Sequence, residues 1–143
     1  MTDDCIFCKI IQGKTEATLL YADEKAAAFL DIQSVNPGHT LVVPKVHAAL
    51  LADLELETGA HLFKVAMRIS QALRRSGVRC EGLNFHVADG AVAGQEVFYV
   101  HLHVIPRFTG DGFGLKFGPN YKNRPSRAVL EETAKRIKSA MAD

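Results

Sequence analysis

Two histidines, His101 and His103, lie two residues apart in an apolar run, and Tyr99 precedes them at the same spacing. The pattern of residues 97–106 predicts a strand, which would place these three side chains on one face. Such positions are about 6.6 Å apart, so two imidazoles can contact different atoms of one phosphate group. A neutral imidazole is a nucleophile at one nitrogen and a hydrogen-bond donor at the other. The pattern predicts attack on phosphorus, and the alternative is two histidines on a half-exposed strand with no catalytic role.

The loop before this strand favours the phosphate interpretation. Residues 93–97, Ala-Gly-Gln-Glu-Val, place a glycine and a run of backbone N–H groups just before the strand. A turn of this kind can form a concave site for an anion. Gly94 allows a ligand to approach the backbone closely because it has no side chain.

Cys5 and Cys8 have the spacing of metal ligands, whereas Cys80 stands apart. Three cysteines are too few and too unevenly spaced for a disulfide framework, which is typical of a reducing compartment. A thioredoxin-like redox motif would follow a strand, and no strand is predicted there. Metal binding is therefore the preferred interpretation of the pair.

Length and composition predict one compact domain over residues 1–143. The chain is 48% hydrophobic and 23% charged, with a formal net charge of +1, so it can bury a core but has no strong field to attract nucleic acid or an anionic membrane. No apolar run approaches the roughly 18 residues of a membrane span, and the N-terminus is acidic where a signal peptide is basic. We expect a cytoplasmic protein that binds neither nucleic acid nor a membrane.

Hydrophobic patterns predict the elements that hold these residues in place. Four runs read as strands, joined by turns at Asn36-Pro37-Gly38 and at residues 89–94; the strands cover residues 25–31, 40–43, 83–88 and 97–106. Helical spacing from Leu62 to Leu73 predicts a long central helix ending near Gly77. A last helix with an apolar face begins after Ser126. Hairpin connections favour an α+β fold with helices packed on one face of an antiparallel sheet.

Four blocks of the sequence, in order, resemble the histidine triad (HIT) superfamily of nucleotide hydrolases and transferases, in particular its bacterial members with paired N-terminal cysteines. The blocks are residues 4–11, 28–32, 37–47 and 93–107. The family hallmark is His-x-His-x-His followed by two hydrophobic residues, and here Tyr99 occupies the first histidine position. The resemblance implies an antiparallel sheet with a long central helix and a C-terminal helix. It also implies a homodimer whose sheets join across the two-fold axis.

The resemblance further implies roles for individual residues. His101 resembles the nucleophile that forms a nucleotidyl-imidazole intermediate, His103 the residue that contacts the phosphate and leaving group, and His39 the fourth histidine of the site. The implied pocket holds a base on apolar residues, ribose on a carboxylate and phosphate on the glycine-bearing loop; its residues are Phe7, Ile10, Phe29, Ile32, Asp31, Gly94, Gln95, Glu96 and Val97, with Asn84 orienting the loop. For the four apolar residues, ordinary core packing is the alternative role; these are Phe7, Ile10, Phe29 and Ile32. Ala88 stands where many relatives carry a polar amide.

In the members with paired cysteines, zinc is held by both cysteines, a histidine after the Pro-Lys turn and the first triad histidine. The matching residues are Cys5, Cys8 and His47, with Tyr99 in the fourth position. Water or, less readily, a phenolate would complete a zinc site here. The alternative is a relic site in which the cysteines pack as small apolar residues.

Three functions follow from the resemblance. The leading one is hydrolysis at the α-phosphorus of a purine nucleotide conjugate of the nucleoside phosphoramidate type, with activity reduced by the change at Tyr99. Cleavage of diadenosine polyphosphates is the alternative within enzymes, because residues 89–95 are similar to a loop of the fragile histidine triad branch. A nucleotide-binding protein without turnover is the alternative from another class, favoured by Tyr99 and Ala88.

Overall fold

Five strands form one sheet in the order β1-β2-β3-β5-β4, and all four pairings are antiparallel. A computed structural model describes residues 4–141. The strands are β1 (Leu19–Ala22), β2 (Ala26–Leu30), β3 (Thr40–Pro44), β4 (Gly82–His86) and β5 (Leu102–Arg107), and the α-helices are α1 (Ile6–Ile11), α2 (Leu56–Arg75) and α3 (Arg127–Met141). The predicted α+β class and antiparallel sheet are confirmed.

The long helix predicted from the apolar spacing is α2, which packs on one face of the sheet. Its buried residues are Leu62, Val65, Ala66, Ile69 and Leu73. The helix ends at Arg75 and Gly77 follows with φ +86°, a left-handed conformation that glycine adopts without strain.

The opposite face of the sheet is covered by α1, which corrects the expectation that the helices share one face. Ala26 and Ala28 of β2 belong to the core under α2, whereas Ala27 and Phe29 pack with Phe7 of α1. This separation follows from the two-residue period of a strand. Six residues of helix are too few to show a helical period in the sequence, which is why α1 was not predicted.

β5 is shorter than predicted, because residues 97–101 lie outside the ladder with β3. The N–H of Val100 donates to the carbonyl of Ala48 at 2.8 Å. The carbonyl of Tyr99 accepts a hydrogen bond from the side chain of His101, so this carbonyl belongs to the candidate site. The alternation of side chains persists, since Val100 and Tyr99 lie in opposite cores, whereas Phe98 is 48% exposed.

The contacts of the chain divide it into two compact units, one ending at Gly112 and one beginning at Phe113. The second unit contains α3, whose N-terminus is capped by Ser126 as predicted: the N–H of Val129 donates to its hydroxyl at 3.2 Å. The apolar side chains of α3, including Leu130 and Ile137, are exposed. One domain over residues 1–143 remains a prediction. Within residues 4–141, no helix has both the length and the apolar character needed to cross a bilayer.

Candidate active site

A pocket of about 340 Å³ opens between α1, the end of β2 and the loop before β5. Ten of the predicted site residues line it, namely Phe7, Ile10, Phe29, Asp31, Ile32, Gly94, Glu96, Val97, His101 and His103. The lining also includes residues that the sequence analysis did not select: Ile6, Thr15, Glu16, Ala17, Leu30, Gln33 and Leu41. An apolar cleft with a few polar groups at one end is the usual composition of a small-molecule site.

His101 is held in one tautomer by the backbone. Its Nδ1 lies 2.7 Å from the carbonyl oxygen of Tyr99, and a carbonyl only accepts, so Nδ1 carries the proton. In the neutral ring, Nε2 is then the unprotonated nitrogen. Phe7 packs its ring against His101 in an edge-to-face contact at 5.2 Å between centroids. The arrangement gives His101 a fixed ring and a nucleophilic Nε2.

His39 and His103 form a second pair, and its tautomers are set by a backbone donor. The N–H of Val35 donates to His39 Nδ1 at 3.0 Å, so Nε2 of the neutral His39 carries the proton. That proton is donated to His103 Nδ1, 2.9 Å away. His103 is consequently protonated at Nε2, its remaining ring donor. The pair thus supplies a hydrogen-bond donor in the same pocket as the nucleophile.

Burial keeps this donor pair uncharged. Desolvation, together with the neighbouring imidazoles of His101, His39 and His86, lowers the pKa of His103 to about 4. Desolvation also lowers the pKa of His39, partly opposed by the Asp31 carboxylate, whose oxygen lies 3.6 Å from His39 Nε2. Near neutral pH, His103 is therefore a neutral imidazole that carries its proton at Nε2.

Asp31, His39 and His103 also have ligand atoms close enough to share a metal ion. Their hydrogen bonds argue against that use. His39 Nε2 carries a proton because Val35 occupies Nδ1, and a ligating nitrogen must present its lone pair. His39 and His103 instead form a hydrogen-bonded pair, with the Asp31 carboxylate 3.6 Å from His39 Nε2.

Two residues predicted to act near the phosphate have other partners. Gln95 is buried and does not line the pocket; its amide accepts from the Gly90 N–H at 2.8 Å and donates to the Ala49 and Val97 carbonyls at 2.8 and 3.1 Å. Asn84 is exposed on β4, where its oxygen accepts from Arg107 Nη1 at 2.6 Å. Gln95 therefore fixes the shape of the loop, and Asn84 holds Arg107.

His86 is a neighbour of His103 that sequence reasoning missed, although it does not line the pocket. It pairs with His103 across β4 and β5, and the two rings are 5.5 Å apart between centroids. Directly opposed residues point to the same face of a sheet, so His86 lies on the face of the triad. The alternation of residues 83–88 was visible in the sequence, but the register in which β4 pairs with β5 could not be read from it.

The predicted metal ligands also come together. Cys8 Sγ lies 3.4 Å from His47 Nδ1, and the ligand atoms of Cys5, Cys8 and His47 are all within 4.8 Å of one another. His47 Nε2 donates to the carbonyl of Phe98 at 3.0 Å, so its lone pair is at Nδ1, beside Cys8. A backbone acceptor that fixes the tautomer is typical of metal-binding histidines.

The structure also pairs Cys5 with Cys8 as a disulfide, with Cα atoms 5.2 Å apart. The sequence analysis expected metal ligands and no disulfide framework. The first turn of α1 brings the two sulfurs to one side, which suits either chemistry. Zinc requires two thiolates, so this pair can serve as metal ligands only when it is reduced.

Tyr99 does not supply the fourth ligand. Its hydroxyl donates to the carbonyl of Pro44 in the core, and burial raises the pKa of Tyr99 to about 12, so the phenol stays neutral. Its ring instead stacks on His47 at 4.8 Å between centroids. The donor set thus fits a zinc ion with three protein ligands and an open fourth position.

Comparison with known proteins identifies the family of this chain. The HIT domain model matches residues 12–110. A HIT-like protein from Borreliella burgdorferi is 47% identical over 116 residues, which cover 80% of this chain and 84% of that protein.

Solved structures give the same result. A HIT family protein from Bacillus anthracis is 39% identical with a TM-score of 0.89, covering 98% of this chain and 99% of its own. A Zn-bound histidine triad family protein from Mycobacterium smegmatis is 39% identical with a TM-score of 0.75, covering 96% and 97%. A histidine triad nucleotide-binding protein from Candida albicans is 28% identical with a TM-score of 0.85, covering 97% and 98%. The chain therefore belongs to the HIT family.

Proposed function

We propose that this protein is a nucleotide hydrolase that cleaves purine nucleotide conjugates at the α-phosphorus, with nucleoside phosphoramidates as the leading substrate class. The observation that carries the proposal is the tautomer of His101. The Tyr99 carbonyl binds Nδ1–H and leaves Nε2 as a nucleophile in a pocket lined by both apolar and polar side chains. The Candida albicans relative, named as nucleotide-binding, supports a nucleotide as ligand.

The reaction has two steps. His101 Nε2 attacks the α-phosphorus, the nitrogen–phosphorus bond forms, and the bond to the amine or nucleotide leaving group breaks. Water then attacks the same phosphorus and releases the nucleoside monophosphate, which restores the neutral imidazole. His103 donates from Nε2 to a non-bridging oxygen and stabilises the developing charge. Since His103 is neutral, the proton of the leaving group comes from the substrate or from water.

The rest of the pocket fits the remaining parts of a nucleotide. Phe7, Phe29 and Leu41 form the buried apolar wall for the base. Asp31 lines the same pocket and accepts the ribose hydroxyls. The backbone of Glu96 and Val97, in the loop that Gln95 holds, donates to the phosphate.

Nucleotide release is the direct test. The wild type should release AMP from adenosine 5′-phosphoramidate, and His101→Ala should abolish that release while AMP still binds. His61→Gln is the matched control, because His61 is a partly buried histidine hydrogen-bonded to Asp23 at 2.6 Å and does not line the pocket. Preferred cleavage of diadenosine tetraphosphate would assign the alternative branch. Binding of AMP without turnover of either substrate would refute the enzyme and favour the binding protein.

We further propose that the reduced protein holds zinc through Cys5, Cys8 and His47, supported by the donor set and by the Zn-bound Mycobacterium smegmatis relative. Zinc would supply structural cross-linking there. Phe7 lies between the two cysteines in sequence and contacts His101. The expected role of this site is therefore to hold the pocket wall in place.

We propose a homodimer as the state in solution. β4 is an edge strand, and its Phe85 and Phe63 of α2 are half-exposed with rings 5.7 Å apart. Exposed aromatic residues at a free sheet edge are typical of an interface. Light scattering should give twice the chain mass for the wild type and a monomer for Phe85→Glu; a monomeric wild type would refute the proposal.

A further inference from the structure

A buried carboxylate, Asp111, lies beyond the end of β5 and outside the pocket. Its side chain is 3% exposed and accepts two hydrogen bonds from the Arg107 guanidinium, from Nε at 2.6 Å and from Nη2 at 2.8 Å. The backbone N–H of Phe108 donates to the same carboxylate at 3.2 Å. Two parallel bonds between arginine and a carboxylate fix geometry as well as charge.

The same carboxylate holds the turn that carries His39. The Asn36 amide donates to Asp111 Oδ2 at 2.8 Å and to the Pro106 carbonyl at 2.9 Å. The N–H of His39 in turn donates to the Asn36 carbonyl at 3.0 Å. The turn between β2 and β3 is thereby joined to the end of β5, the strand that carries His103.

We propose that Asp111 is a positioning residue for the His39–His103 pair, a role that rests on the proposed function. The 2.9 Å bond between these rings joins β5 to the segment just before β3. That bond fixes His103 Nε2–H as the donor to the phosphate. The Asp111 cluster, consisting of Asn36, Asn84, Arg107 and Asp111, sets the distance between the two chain segments that carry the rings.

The charge and both oxygens of Asp111 are needed for this arrangement. Oδ2 accepts from Asn36, Arg107 Nε and the Phe108 N–H, and Oδ1 accepts from Arg107 Nη2. An asparagine at this position would turn an NH₂ group towards at least one of these donors. Asp111→Asn therefore loses an acceptor without changing side-chain size, and the connection between the His39 turn and the end of β5 is weakened to the bond from Asn36 to the Pro106 carbonyl.

This change should lower turnover and leave binding intact. No residue of the cluster lines the pocket, so the contacts to base and ribose are retained. Displacement of a catalytic group by about 1 Å can cost about a hundredfold in rate. We expect kcat for adenosine 5′-phosphoramidate to fall by between about tenfold and about a hundredfold, with the Kd of AMP changed less than about twofold.

Asp23→Asn is a matched control. The Asp23 carboxylate also accepts four hydrogen bonds, from Tyr21 and His61 at 2.7 and 2.6 Å and from the N–H groups of Lys25 and Ala26, both at 2.8 Å. It ties the β1–β2 turn to α2 and does not line the pocket. Both variants should melt at lower temperature than the wild type, but Asp111→Asn alone should lose turnover. Equal loss in both variants, or unchanged kcat in Asp111→Asn, would overturn the proposal.

Nitrogen-15 NMR of the histidines provides a readout that is independent of activity. The wild type should show His39 and His103 as Nε2–H tautomers, and Asp111→Asn should show mixed tautomers. If the wild type has no turnover, the proposed function fails and this measurement still decides the role of Asp111. Unchanged tautomers would refute it. Should Asp111→Asn not fold, Arg107→Lys, which cannot make the two parallel bonds, is measured with the same expected direction.

Discussion

Replacement of Tyr99 by phenylalanine should weaken the fold and leave turnover nearly unchanged. The hydroxyl of Tyr99 donates to the buried carbonyl of Pro44, and its ring, which is retained in phenylalanine, packs on Phe7 and His47. Loss of one partner of a buried hydrogen bond costs about 1–3 kcal/mol. For a chain of this size that corresponds to a decrease in Tm of about 3–10 °C.

Thermal denaturation followed by circular dichroism would measure the first effect, and AMP release from adenosine 5′-phosphoramidate the second. We expect kcat within about twofold of the wild type, because His101 uses the backbone carbonyl of residue 99 and phenylalanine keeps that carbonyl. A loss of about a hundredfold in kcat with an unchanged Tm would contradict the structural role of the Tyr99 hydroxyl. It would mean that the hydroxyl acts in the reaction and that Tyr99 replaces a triad histidine chemically.

Other perturbations test the remaining parts of the site. A chelator should lower the Tm of the reduced protein and leave the oxidised one unchanged, because only thiolates of Cys5 and Cys8 bind zinc; equal shifts in both would contradict the assignment. His103 should titrate near pH 4 by NMR, whereas in the unfolded chain it takes up this proton at about pH 6.5. The free energy of unfolding should therefore decrease as the pH falls from about 6.5 to about 4. Titration of His103 near pH 6.5 in the folded protein would contradict the burial argument. Phe7→Ala should cost about 3–5 kcal/mol of stability and weaken AMP binding, as calorimetry would measure; unaltered AMP affinity would remove Phe7 from the base pocket.

The sequence was sufficient for the elements whose hydrophobic pattern is long. The apolar spacing from Leu62 to Leu73 predicts α2, and the turn at residues 36–38 predicts the hairpin between β2 and β3. Alternation also predicts that Tyr99, His101 and His103 share a face, which holds although only His103 of the three lies in a strand. These features depend on neighbours in the sequence.

Features that depend on contacts between distant segments could not be predicted. The tautomer of His39 is set by Val35 and that of His103 by His39, so neither can be derived from residue type. Gln95 looks like a phosphate ligand in sequence, but its amide is engaged by Ala49, 46 residues away. Asp111 resembles a residue of a solvated loop, yet its side chain is buried against Arg107. Pairing register and burial decide such roles.

The most direct test of the central claim is to trap the covalent intermediate. The protein is mixed with adenosine 5′-phosphoramidate, quenched on the timescale of one turnover at a pH that preserves phosphorus–nitrogen bonds, and analysed by peptide mass spectrometry. We expect an adenylyl group on the imidazole of His101 that is absent in His101→Ala. Turnover with an adenylyl group on another residue, or turnover retained in His101→Ala, would contradict it.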